Sequence, residues 1–204
     1  EENSNLNIDL INAITRACGR LQEKKLLARN NIQSIFNCLE DISYDPDILD
    51  STISVLILLH DNHLLSENNR QLIFNSAASK SIYFISEALS VLHKEHTINQ
   101  EWLNFIVSTS VDKMLGCLSH TELLSFKNIE SLMELKEKIE WQTLRILQKK
   151  GLLTQKTFDT ICSIDNQPLL LNVLEKMQED SLLTKKHLQL VLETNKFEET
   201  CHQI

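Results

Sequence analysis

Apolar pairs punctuate the chain at Leu26-Leu27, Leu64-Leu65, Thr97-Ile98, Leu123-Leu124, Leu152-Leu153 and Leu182-Leu183. They recur about every 30 residues, the period of a helical repeat. Aligned on the first residue of each pair, the flanking columns agree. Five positions before stand Leu21, Leu59, Leu92, Leu118, Leu147 and Met177, and eight before stand Cys18, Leu56, Leu89, Leu115, Leu144 and Leu174. Nine positions after stand Ile35, Ile73, Ile106, Leu132, Ile161 and Val191, and ten after stand Phe36, Phe74, Val107, Met133, Cys162 and Leu192. Six after, Ile32, Leu103, Ile129, Phe158 and Leu188 are apolar, while Arg70 breaks the column. Apolar positions three or four apart make one stripe of a helix. The pattern therefore predicts one helix ending just before each pair and a second starting just after it.

The residue behind each pair is Ser66, Asn99, Ser125, Thr154 or Thr184 in five of the six units and Ala28 in the first. Hydroxyl and amide oxygens at that point accept from the exposed amides of a first helical turn, so these five are predicted N-caps. The pair before the cap is placed to pack as a hydrophobic staple. A turn this short allows only antiparallel packing, which gives a helical hairpin per unit. One hairpin cannot bury its own stripe, so about six of them are expected to stack into an α-solenoid. The fold class is all-α, with residues 1–204 as one repeat domain.

Composition sharpens this picture. Three glycines and two prolines in 204 residues compare with roughly 25 of the two together at average usage. Few tight corners are expected, which disfavours sandwiches and barrels. Gly19, Gly116 and Gly151 are too scattered for a dinucleotide fingerprint or a P-loop. Pro46 and Pro168 stand where new helices would begin, and Gly151 at a helix end where a left-handed residue is useful. The formal net charge of −8 argues against duplex nucleic acid and anionic membrane surfaces as partners. The longest apolar run, Val55 to Leu59, reads as the middle of a buried helix, so no membrane insertion is expected. Five cysteines, Cys18, Cys38, Cys117, Cys162 and Cys201, without CxxC spacing read as free thiols in a reducing compartment. The start at Glu1 and the beginning of a further unit in Glu193 to Ile204 suggest a piece of a longer protein.

The run Leu152-Leu153-Thr154-Gln155-Lys156-Thr157-Phe158 resembles the LLTxxNF phrase of helical-hairpin repeats in secreted effector proteins of Legionella and related intracellular bacteria. Asn31, Asn69 and Asn128 occupy the asparagine position in other units, while Thr157 and His187 replace it in the two units that carry LLT in full. The resemblance spans residues 8 to 192 as architecture. It implies a type IV secretion substrate, made in the bacterial cytoplasm and delivered to the host cytosol, with this part as a scaffold or recognition module. It implies no catalytic residue.

Several groups invite a chemical reading. His60/His63 and His93/His96 have a spacing that can seat two imidazoles on one metal, but lack third and fourth ligands. Both pairs fall at the end of a first helix, where a partly protonated ring faces exposed carbonyls, and that is the reading adopted. The acidic stretch from Glu40 and Asp41 to Asp50 includes Tyr44; it lacks the glycine and glutamate of an EF-hand loop and reads as a connector, with a binding loop as the minority reading. Cys117 with His120, and Cys201 with His202, have the residue types of a thiol nucleophile and base, yet Cys18 and Cys162 sit in apolar columns and Cys117 next to Leu118, which points to burial. Trp141 aligns with Ile53 and Leu171 and reads as core. Trp102 stands five after its pair, where other units carry Asn31, Asn69, Asn128, Thr157 and His187. An aromatic in a polar column taken as outer surface makes Trp102, with Tyr44 second, the candidate partner contact.

The reading is thus a non-enzymatic recognition module that binds a host or bacterial protein, with no cofactor. The alternative is a helical accessory domain that positions a catalytic domain outside these residues. Partner identity and oligomeric state are left open.

Overall fold

A computed structural model describes residues 2–26, 45–79, 81–108, 110–135 and 138–201, with side chains placed at 8, 11–26, 45–77, 79, 81–108, 110–135 and 138–194. Every regular element among them is an α-helix. In chain order these are α1 (Glu2–Glu23), α2 (Pro46–Asp61), α3 (Glu67–Ala78), α4 (Ile82–Lys94), α5 (Gln100–Ile106), α6 (Val111–Ser119), α7 (Phe126–Glu134), α8 (Trp141–Lys149), α9 (Gln155–Cys162), α10 (Gln167–Glu179) and α11 (Lys185–Cys201). The all-α class expected from the repeat is what the chain forms. Ala28, Tyr44, Cys38 and the stretch around Glu40 and Asp41 lie outside the described residues, as does His202.

The helix ends follow from the apolar pairs. Ahead of each pair stands one residue with left-handed backbone: Lys25 (φ 57°), His63 (59°), His96 (55°), Glu122 (58°), Gly151 (65°) and Ser181 (58°). The amide after it turns back to the carbonyl five residues earlier. These bonds are Leu26 to Leu21 (2.7 Å), Leu64 to Leu59 (2.7 Å), Thr97 to Leu92 (3.0 Å), Leu123 to Leu118 (2.8 Å), Leu152 to Leu147 (2.8 Å) and Leu182 to Met177 (2.8 Å). The left-handed residue itself donates three back, as Gly151 does to Gln148 (2.9 Å) and His63 to His60 (3.0 Å). Both bonds together are the Schellman ending, which satisfies two orphaned carbonyls and brings the two flanking apolar residues together. The first residue of each pair and the residue five before it are therefore in register because they close the same turn.

Scarce glycine, expected to mean few tight corners, does not mean few left-handed ones. Five of the six corners exist without glycine, each at a cost on the order of 1 kcal/mol for an L-residue. The two turn bonds and the closure of apolar neighbours offset that cost.

After the pair the predicted caps operate. Ser66 accepts from the amide of Asn69, Asn99 from Trp102, Ser125 from Asn128, Thr154 from Thr157 and Thr184 from His187. The second residue of the pair and the residue five beyond it are buried together, as with Ile98 and Leu103, Leu153 and Phe158, and Leu183 and Leu188; these are the positions of a hydrophobic staple. Pro46 and Pro168 sit in first turns behind the caps Asp45 and Asn166, where a missing amide removes nothing. Gln167, buried against the end of α9, donates to the carbonyls of Ile161 (2.7 Å) and Ile164 (2.9 Å).

The described chain divides into two compact units, Glu1–Asp112 and Lys113–Ile204. In the first, α1 packs on α2 and α2 on α4, while α3 packs on α2 and α4, and α5 on α4. Leu21, Ile53, Leu59, Ile73, Ile85, Leu89, Leu92 and Leu103 fill its core. Arg16 to Asp50 (3.1 Å), Arg20 to Ser54 Oγ (3.0 Å) and Lys24 to Asp61 (2.6 Å) tie α1 and the turn behind it to α2. In the second unit α8 packs on α10, and Leu118, Ile129, Leu132, Leu144, Leu147, Phe158, Leu170 and Leu174 are buried.

Two substitutions at the turn should move stability in opposite directions. A Cβ on Gly151 meets nothing within 4 Å, so Gly151→Ala adds only backbone strain and should lower stability by about 1 kcal/mol. Glu122→Gly relieves that strain but frees the unfolded chain, for a net gain of about 0.5 kcal/mol. Urea unfolding midpoints of the two variants check both signs.

Candidate functional site

The column five after each pair, read from sequence as outer surface, is in fact where neighbouring repeats meet. Asn69 and Asn128 are 4% and 0% exposed. Asn128 Nδ2 donates to the carbonyl of Leu123 (2.7 Å), the first residue of its own pair, and to Gln155 Oε1 (2.9 Å), while Gln155 Nε2 donates back to Asn128 Oδ1 (2.9 Å). Asn69 does the same with Leu64 (2.7 Å) and Gln100, by bonds of 2.8 and 3.1 Å. In each case the glutamine is the first residue of the next repeat's second helix. It also donates to a side chain one turn on, Asn104 or Asp159, at 2.8 Å. The pair of amides is thus a reciprocal clasp between consecutive second helices. Buried amides demand such partners, since an unpaired one costs the full desolvation of the group.

The junction between α9 and α11 has no clasp. Its two positions hold Thr157 and Lys185. Thr157 turns to Thr154 (Oγ1 to Oγ1, 2.9 Å), and an open groove of about 510 Å³ lies between the helices. Leu152, Leu188 and Leu192 line it with the aliphatic stems and methyls around them, and Lys156 and Lys185 stand exposed on its rim. His187, in the clasp column of the last repeat, keeps half of the asparagine role: its Nδ1 lies 2.6 Å from the carbonyl oxygen of Leu182.

Trp102 occupies the clasp column of its own repeat. It is half-buried and meets Phe105 edge to face, with centroids 6.2 Å apart. The premise that its column faces outward does not hold, because the same column is buried at Asn69 and Asn128. Trp141, expected in the core, is only half-buried: it opens α8 with Lys113 Nζ 4.6 Å and Arg145 Cζ 5.4 Å from its ring, an arrangement in which cations lie over the aromatic face.

The histidine pairs serve the helix ends. His60 Nδ1 lies 3.2 Å from Asp61, and His63 is the left-handed residue of its turn. His93 Nδ1 lies 3.3 Å from Asn62 Nδ2, and His96, likewise left-handed, meets the His93 ring at 6.5 Å. The hydrogen bond from Lys24 holds the Asp61 carboxyl below its usual range against the opposing effect of desolvation, with His60 adding to the lowering. Among the described residues, no group of three or more His, Cys, Asp or Glu side chains is placed to hold a metal ion.

Cys117 and Cys162 are shifted away from reactivity. Burial pushes Cys117 up to about 11, with Arg145 pulling weakly the other way. Burial, and then the charge of Asp159, push Cys162 up to about 12. A nucleophilic thiolate needs the opposite shift. Tyr83, which donates to Asp45 Oδ2 (3.2 Å), is raised to about 12, first by burial and then by that carboxylate.

Two measurements test these assignments. Asn128→Ala leaves the Leu123 carbonyl without its donor and removes the partner of the exposed Gln155, and should cost about 1–3 kcal/mol; in a double-mutant cycle with Gln155→Ala the two should couple by about 0.5 kcal/mol or more. The raised thiols bind their protons more tightly folded than unfolded. The thiols' contribution to native stability should therefore be full below about pH 9 and be lost as the pH rises toward 11, and iodoacetamide should label Cys117 and Cys162 far more slowly in the native than in the urea-unfolded chain. Neither a family model, nor a curated protein, nor a solved structure matches this chain.

Proposed function

We propose that this chain is a non-catalytic helical-repeat module that recognises a protein partner, its units stacked as an α-solenoid of about six antiparallel hairpins. The observation that carries the reading is the recurrence of one turn, with a left-handed residue at the same position and a carbonyl acceptor five residues back, at all six anchors. A unit that repeats its turn so closely presents the same helix faces again and again, the arrangement from which repeat proteins make extended binding surfaces. Second-helix positions that hold the amide clasp in some repeats and other side chains in others, Trp102 and Thr157 among them, give such a surface its individuality. The likeness of the LLT phrase to secreted effectors of intracellular bacteria supports a host protein as the partner and a reducing host cytosol as the place of action.

Small-angle scattering should give a radius of gyration above the roughly 17 Å of a compact chain of this size. Immobilised on resin, the chain should retain a partner from host-cell extract saturably, and Trp102→Ala should weaken retention by about tenfold. A compact radius would overturn the stacked arrangement. Retention unchanged by Trp102→Ala and by charge reversals on the connectors would overturn the recognition surface.

A further inference from the structure

We infer that the groove between α9 and α11 takes an acidic, leucine-bearing helical segment of a partner protein; this rests on the reading of the chain as a recognition module. The first support is comparative. Where Asn69 faces Gln100 and Asn128 faces Gln155, reciprocal amide bonds close the junction between consecutive second helices. At the equivalent positions Thr157 and Lys185 make no such bond: threonine is too short to span the gap, and an ammonium donates without accepting. A groove of about 510 Å³ stays open between α9 and α11, where no amide pair closes the junction. That volume falls in the range of binding clefts.

The second support is chemical. The floor is apolar, made by Leu152, Leu188 and Leu192, and suits a leucine-type side chain. Lys156 and Lys185 flank it, against a single lining carboxylate, Glu193. Both lysines are exposed and neither has a carboxylate within 4.0 Å among the described residues. On a chain of net charge −8 this local excess of positive charge stands out. It complements acidic residues that flank an apolar anchor, the arrangement of an amphipathic helix laid in a groove.

The test uses a fluorescein-labelled synthetic peptide of glutamate and leucine, with leucines at helical spacing, and the same peptide with lysine for glutamate. Fluorescence anisotropy should show saturable binding of the acidic peptide, weakened by salt, and none of the basic one. Lys156→Glu with Lys185→Glu should weaken binding by at least about tenfold. Thr157→Asn with Lys185→Gln builds the amide clasp in the open junction and should abolish binding while raising the melting temperature, so loss of binding there is not loss of fold. Equal binding of both peptides, or full binding by the clasped variant, overturns the proposal. If the clasped variant still retains the extract partner as wild type does, the groove assignment fails and the recognition reading stands. If wild type retains nothing from extract yet binds the acidic peptide with the stated variant effects, the groove stands and the recognition reading fails.

Discussion

A helix that stops must leave its last carbonyls somewhere, and the way this chain disposes of them sets nearly everything else. One residue turns left-handed, the next amide reaches back to the carbonyl of a leucine, and the following apolar residue swings under the new helix as its cap forms. The three steps occupy consecutive residues, so the chain reverses with no freedom to choose another angle. Leu118 and Leu123, or Leu147 and Leu152, are conserved in spacing within the chain because they are donor and acceptor of that turn as well as core. A change of one residue in the link would misplace the cap, the staple and the amide donor together.

Because the turn fixes each hairpin, contacts between hairpins are relieved of that duty and vary. α1 meets α2 through charged and hydroxyl groups, Arg16 with Asp50, Arg20 with Ser54 and Lys24 with Asp61. The two ion pairs are partly exposed and of small net worth, and Arg20 adds a hydrogen bond to a hydroxyl. Asn69 with Gln100, and Asn128 with Gln155, pair a buried asparagine amide with an exposed glutamine, whose reciprocal bonds favour one register. The α9–α11 junction uses neither. The hairpin survives each of these solutions, which is what allows one of them to be an opening.

Much of this was legible in the sequence. The apolar columns, the five caps and the two helix-starting prolines follow from periodicity and from local side-chain chemistry, and both act within a few residues. The clasp was not legible, because asparagine in a column is as typical of a solvated face as of a buried junction, and its partner lies 27 to 31 residues away. A signal did exist: the two asparagines that clasp are each followed, at the first position of the next second helix, by glutamine, whereas Trp102 is followed there by Phe126 and Thr157 by Lys185. Trp141 misled for a related reason. Its column is apolar in other repeats, but at the first turn of a helix an aromatic ring can lie against Lys113 and Arg145 and stay half-exposed. The left-handed corners were missed because glycine was taken as their marker, while two backbone bonds and an apolar closure are enough to hold Lys25, His63, His96, Glu122 and Ser181 there.

The scarcity of glycine then has a physical consequence for how such a chain can change. The turn bonds act within one turn, and each amide clasp within one junction. Opening one junction costs that junction's clasp and leaves the other turns untouched. A corner held by hydrogen bonds to leucine carbonyls tolerates lysine, histidine, glutamate or serine at its strained position, and a junction closed by side chains tolerates their replacement by a threonine and a lysine. Side chains at the second-helix positions can therefore be altered without disturbing the backbone that presents them. The α9–α11 junction beside Lys156 and Lys185 is one place where they differ.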